Sequence, residues 1–145
     1  MVRFRAEVVI ARPVEAVFSF VARAENGSTW NSAVREVRQT SAGPVGVGTE
    51  YSMSRRLPQG PVENTLRVVE YEPNERYAIR VTSGPTPFLY RYTFEPQGDR
   101  TRMSLSAEGS LGGAADLLSP IASIAVKRGV QANFQTLKTV LESRP

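Results

Sequence analysis

The sequence predicts an α+β fold in which a curved antiparallel β-sheet wraps around one long C-terminal α-helix, with short helices near residues 13–33. Three observations predict it. A strand pattern gives way directly to a helix pattern within the first 22 residues. Turn-separated strand patterns then succeed one another as far as Ala107. A single amphipathic pattern closes the chain. Such an arrangement grips a hydrophobic cavity, and a cavity is a device for binding.

In the opening stretch, Val2, Phe4, Ala6, Val8 and Ile10 alternate with Arg3, Arg5 and Glu7, the period-2 signature of a half-buried strand. At Pro13 the period changes. Val14, Val17, Phe18 and Val21 fall at i, i+3, i+4 and i+7, which is one apolar face of a helix. Residues 23–33 are polar and turn-rich around Trp30, the lone tryptophan. A short strand is expected from Arg35 to Thr40, anchored by Val34 and Val37.

Gly43 to Gly48 form a turn that leads into a strand over 49–57 carrying Tyr51, Met53 and Arg55. Pro58-Gln59-Gly60-Pro61 predicts a tight hairpin connection. The next strand, 62–71, holds Leu66, Val68, Val69 and Tyr71, and its inward face is ambiguous because Val68 and Val69 are both apolar. Glu72-Pro73-Asn74-Glu75 turns the chain into Tyr77, Ile79 and Val81. After a loop from Ser83 to Pro87, Phe88, Tyr90, Tyr92 and Phe94 alternate as an aromatic stripe. Pro96-Gln97-Gly98-Asp99 makes the next turn, and Thr101, Met103, Leu105 and Ala107 mark the last strand. Strands separated by turns at this spacing predict an antiparallel meander.

From Ser119, a good N-cap followed by Pro120, the pattern is helical. Val130, Phe134, Leu137 and Leu141 share one face, which Ala122 and Val126 extend. Residues 120–142 would span ~35 Å, enough to cross a sheet face. Gly129 is either a tolerated weak point in that helix or a place where something needs the space beside it.

The 145 residues fit one domain, which would bury roughly 70% of its unfolded surface. No signal peptide is expected, because charges interrupt the first apolar run. Ala114 to Val126 contains Asp116 and Pro120 and is too short for a membrane span. The expected location is therefore the cytoplasm, without stable membrane insertion. The chain has neither Cys nor His. That excludes thiol nucleophiles, Cys-ligated zinc, His-ligated metals and Ser-His-Asp triads, and no metal or cofactor is expected. The net charge of +4 comes from 16 Arg and 2 Lys scattered among 12 Glu and 2 Asp. Without a basic stripe or a recognition motif, nucleic acid is not an expected partner.

Taken in order, several segments resemble the START-like (SRPBCC) superfamily, and its bacterial polyketide cyclase/dehydrase branch in particular. They are V-V-I-A-R-P-V-E-A-V-F-S-F-V (8–21), Trp30, G-V-G-T-E-Y (46–51) and R-V-V-E-Y-E-P-N-E-R-Y-A-I-R-V (67–81). Y-T-F-E-P (92–96), G-D-R-T-R-M-S-L (98–105) and L-K-T-V-L-E (137–142) complete the set. The resemblance implies a helix-grip fold with a cavity between sheet and helix. Its members include lipid and hormone carriers, aromatic polyketide cyclases and chaperone activators, and they share no universal catalytic motif.

The candidate ligand-binding residues are Trp30, Tyr51, Met53, Arg55, Tyr90, Tyr92, Leu118, Ala122 and Val126. Tyr90 and Tyr92 either fill the core or turn their polar tips toward a ligand. Arg55 either is solvated or faces the cavity, where its fork suits a carboxylate, phosphate or enolate. Glu50, Glu63, Glu70 and Glu108 would serve as bases only if one faced inward, where burial raises a carboxyl pKa. Gly43, Gly46 and Gly48 form G-x-x-G-x-G, but no Lys-Ser/Thr or helix follows, so no phosphate loop is expected.

With few reacting groups, the leading expectation is binding of a small hydrophobic or aromatic molecule, lipid or polyketide-like. The alternative is a polyketide aromatase/cyclase or dehydratase, and a third reading is an interaction module like the chaperone activators. Whether the chain pairs as a homodimer is left open.

Overall fold

A computed structural model of the chain describes residues 1–57, 60–84, 87–110 and 119–144. Its strands are β1 (Val2–Ile10), β2 (Val34–Gln39), β3 (Glu50–Leu57), β4 (Gly60–Glu72), β5 (Arg76–Val81), β6 (Phe88–Gln97) and β7 (Arg100–Gly109). Helix α1 (Val14–Val21) follows β1, and a 3-10 turn (Ala24–Asn26) leads to the one-turn helix α2 (Gly27–Trp30). The C-terminal helix α3 spans Ser119–Glu142. The strands form one antiparallel sheet in the order β1-β7-β6-β5-β4-β3-β2. This is the expected curved sheet with its closing helix, the helix-grip architecture. Among the described residues, no helix is long and apolar enough to cross a membrane.

Alternation along each strand decides which side chains face inward. In β1, Val2, Phe4, Ala6, Val8 and Ile10 are all buried. Cross-strand register assembles the inward residues into rows. One row runs Phe4, Ala107, Tyr90, Ile79 and Val68, and the next runs Ala6, Leu105, Tyr92, Tyr77 and Tyr71. Phe18 of α1 closes one end of the sheet, meeting Tyr71 and Phe94 edge-on at 5.5 and 5.1 Å between ring centroids.

Two register shifts interrupt the alternation, between Val34 and Glu36 and between Val68 and Glu70. Each inserts an extra residue into its strand. Val34 and Val37 therefore both point inward although three positions apart, and the same holds for Val68 and Tyr71. Val69 is the extra residue of its pair, which resolves the Val68/Val69 ambiguity.

Two turns are tighter than expected. Pro61 pairs with Arg56 inside β4, and Pro96 and Gln97 pair with Thr101 and Arg100, so only Gly98-Asp99 remain as the loop. Pro96 is tolerated there because β5 pairs with β6 only as far as Thr93, so no neighbour on that side needs its missing N–H.

Helix α3 lies against β1 and α2. Its C-terminal half carries Phe134, Leu137 and Leu141, all fully buried. That end is also tied to β1 by polar contacts. Lys138 Nζ donates to the Val9 carbonyl at 2.8 Å and to Glu142 Oε2 at 2.6 Å, and the Ala11 N–H donates to the same carboxylate at 2.8 Å. The N-terminal half differs. Ala122, Val126 and Val130 are only half-buried, and Ile121 and Ile124 are exposed. The helix stands off the sheet here because a cavity lies beneath it.

Candidate functional site

The cavity has a volume of about 320 Å³ and lies between the inner face of the sheet, the α1–α2 link and the middle of α3. Trp30, Met53, Arg55, Tyr90, Tyr92 and Val126 all line it, so six of the candidate residues meet in one place. Of the other described candidates, two do not join the lining. Tyr51 is completely buried and is not part of the lining. Ala122 is half-buried against the core, one turn of α3 before Val126. Leu118 lies outside the described residues.

Arg55 faces the cavity because it stands two and four residues beyond Met53 and Tyr51 on the inward side of β3. A buried asparagine on the next strand holds it. Asn64 Oδ1 accepts from Arg55 Nε at 2.7 Å, and Asn64 Nδ2 donates to the Ser83 carbonyl at 2.6 Å. Burial lowers the Arg55 pKa, and neighbouring Tyr90 opposes that shift. Burial raises the Tyr90 hydroxyl while the Arg55 charge pulls it down, and the net direction is up. Tyr90 therefore stays neutral beside a guanidinium, its ring stacked on Phe88 with centroids 5.5 Å apart.

Trp30 packs against Phe134 of α3 at 6.1 Å. Nearby, Asn133 closes the gap between α3 and the segment after α2. Its Oδ1 accepts from the Ser32 N–H at 3.2 Å, and its Nδ2 donates to Asn31 Oδ1 at 3.2 Å. Asn31, Ser32 and Asn133 all line the cavity.

The remaining polar lining comes from tyrosines. Burial raises Tyr92 above its ordinary range, with neighbouring Tyr90 adding to the shift. Tyr77, its cross-strand neighbour, is raised chiefly by burial as well. Among the described residues no carboxylate lines the cavity. Glu50 and Glu108 instead meet Arg67 and Arg3 at 3.6 Å on the outer surface. Glu63 is exposed and Glu70 half-buried, both away from the lining. The strand glutamates are therefore not placed as bases on a bound ligand.

Asn64, Tyr77 and Asn133 are site residues that the sequence reading passed over. Two carried a signal: asparagine is depleted in strand interiors and disfavoured in helix interiors. An asparagine at either position implies a partner for its side chain. Gly129 also lines the cavity, and a Cβ added there meets nothing within 4 Å. No close approach demands glycine at that position.

The sequence profile of the family described as "Polyketide cyclase / dehydrase and lipid transport" matches residues 1–142. None of the curated proteins matches the sequence. Solved structures share its fold. TTHA0849 from Thermus thermophilus is 18% identical, with a TM-score of 0.80 and 96% of each chain covered. The Zhui aromatase/cyclase from Streptomyces sp. R1128 is 14% identical at a TM-score of 0.78, covering 98% of this chain and 94% of that one. Ara h 8.0201 is 14% identical at 0.73, with 98% of each chain covered.

Proposed function

We propose, from the premise that the chain belongs to the polyketide cyclase/dehydrase and lipid transport family, that it binds a small hydrophobic or aromatic molecule in this cavity. The lining carries the reading: mostly aliphatic and aromatic side chains, with one guanidinium, two asparagines, a serine and no carboxylate among the described residues. Such a surface favours desolvation of an apolar body and offers little acid–base chemistry. At about 320 Å³ the cavity is at the lower end of the usual range for ligand pockets, roughly 300–1,000 Å³. It suits a compact ligand of one to a few rings rather than a long acyl chain. Trp30, Met53, Tyr92 and Val126 contact the body of the ligand, while Arg55 and Tyr90 address an oxygen-bearing edge.

Native mass spectrometry of the purified protein tests this directly. A co-purifying adduct is expected, and Val126→Trp, which fills the cavity, removes it. An adduct that survives Val126→Trp, or a wild-type protein that takes up no aromatic probe at millimolar concentration, overturns the reading.

One observation favours a second reading, an aromatase/cyclase or dehydratase. The Arg55 guanidinium and the neutral Tyr90 hydroxyl converge on the cavity, and a fixed cation beside a donor stabilises a developing enolate oxygen. The similar fold of the Zhui aromatase/cyclase supports it. Turnover of a poly-β-keto substrate that falls at least tenfold in Arg55→Leu would establish this reading; unchanged turnover removes it.

A further inference from the structure

Three buried oxygen atoms have no hydrogen-bond partner in the described protein: Glu25 Oε1, Tyr51 Oη and Tyr77 Oη. They belong to one region. Tyr77 lines the main cavity. Its ring meets Tyr71 edge-on at 6.3 Å, and Tyr71 shares with Glu25 and Gln39 the wall of a second recess of about 340 Å³. Gln39 is the cross-strand partner of Tyr51. Tyr77 thus borders the cavity, Glu25 borders the recess, and the fully buried Tyr51 pairs with a strand residue that borders the recess, so the three make up the partition between the two.

Leaving three buried polar atoms unpaired in a small region is costly, so their common missing partner is informative. Glu25, as a carboxylate, only accepts hydrogen bonds. Tyr51 and Tyr77 are neutral phenols, since burial first and the Glu25 charge among the further causes raise both. A neutral phenol both donates and accepts. A group that bridges them and also pairs a phenol proton must donate to Glu25 and accept from a tyrosine. An ammonium would leave both phenol protons unpaired and a ketone cannot donate to Glu25, whereas a hydroxyl serves both.

We infer that the partition formed by Glu25, Tyr51 and Tyr77 is a polar subsite for the hydroxyl of a phenolic, enolic or alcoholic ligand whose apolar body occupies the main cavity. The inference rests on the binding function proposed above and adds the class of polar group that the ligand carries. A water molecule offers the same chemistry, and the test separates the two sources.

The probes are 2-naphthol and naphthalene, titrated into the full chain while the Trp30 indole N–H is followed by NMR. Wild type is expected to bind 2-naphthol about tenfold more tightly than naphthalene, the discrimination available from one hydroxyl bonded to a charged acceptor. In Glu25→Gln and in Tyr77→Phe that preference, taken as the ratio of the two affinities within each variant, falls below threefold, with the fold verified by the remaining amide resonances. Equal affinity for the two probes in wild type shows that the oxygens are served by water and overturns the subsite alone. A preference that survives in both variants also overturns it. Failure of both probes to bind wild type overturns the cavity reading, and this inference with it.

Discussion

Asn64 offers the sharpest test of how the site is held, through Asn64→Ala. The residue is only 1% exposed, and its two bonds tie Arg55 of β3 to Ser83 in the segment after β5. The bond from the Arg55 guanidinium contributes about 1.5–3 kcal/mol, as hydrogen bonds to charged groups do, and the bond to the Ser83 carbonyl about 0.5–1.5 kcal/mol. Arg55 is half-buried and Ser83 exposed, so water recovers part of each loss. A net destabilisation of about 3 kcal/mol is expected, which for a chain of this size lowers Tm by roughly 10 °C.

Urea denaturation with an unchanged m-value is the measurement, and Gly84 supplies an internal control. Gly84 has φ 95°, and a Cβ there would strike the Asn64 side-chain amide. Gly84→Ala should therefore be strongly destabilising in wild type and distinctly less so in the Asn64→Ala background, where only the backbone strain remains. A loss below about 0.5 kcal/mol for Asn64→Ala would refute the calculation built on those two bonds. Strictly additive effects of the two substitutions would refute the steric link.

Three further outcomes are expected. Gly129→Ala should raise stability by about 0.5–1 kcal/mol, read as a higher melting temperature, because the helix gains an alanine and the new methyl meets open space. Spectrophotometric titration should show that Tyr51, Tyr77, Tyr90 and Tyr92 stay protonated above pH 10, with Tyr51 pushed up to about 12, mainly by burial. Because the unfolded chain releases those protons first, stability is complete below pH 10 and falls as pH rises past it; a flat profile to pH 12 contradicts this. At the acid end, the Lys138 hydrogen bond and then the Ala11 N–H hold the Glu142 carboxyl below its ordinary 4.5. Its contribution is therefore present above that value and lost as pH falls below it, so Glu142→Gln should flatten the acid limb of the stability curve.

The fold was legible because its evidence is local. Alternation in β1, β6 and β7 and the face of α3 are properties of neighbouring residues in sequence. The bulge at Val69 was illegible for the opposite reason: an extra residue shows only when the partner strand supplies the register. The candidate site divides in the same way. Trp30, Met53, Tyr90 and Tyr92 were accessible from face and residue type. Alternation puts Arg55 on the inward face, but its hold by Asn64, nine residues away on another strand, and the seating of Trp30 against Phe134, at the far end of the chain, show only in the folded chain. Glu25 sits in a turn that no periodicity describes, so its place beside Tyr71 emerges only from the folded chain.

The division of α3 into a clamped half and a half resting over the cavity separates two demands that usually compete. From Phe134 onward, each apolar contact and each bond to β1 secures the fold, so substitutions there are expected to lower global stability. From Ala122 to Val130 the inward side chains are only half-buried and Val126, Gly129 and Val130 line the cavity, so changes there reshape what can be accommodated at smaller thermodynamic cost. Amide exchange should rise from the anchored C-terminal half toward Ala122, where burial along the helix is lower. Selection, natural or in the laboratory, can thus retune the ligand along one stretch of helix while the anchor remains untouched.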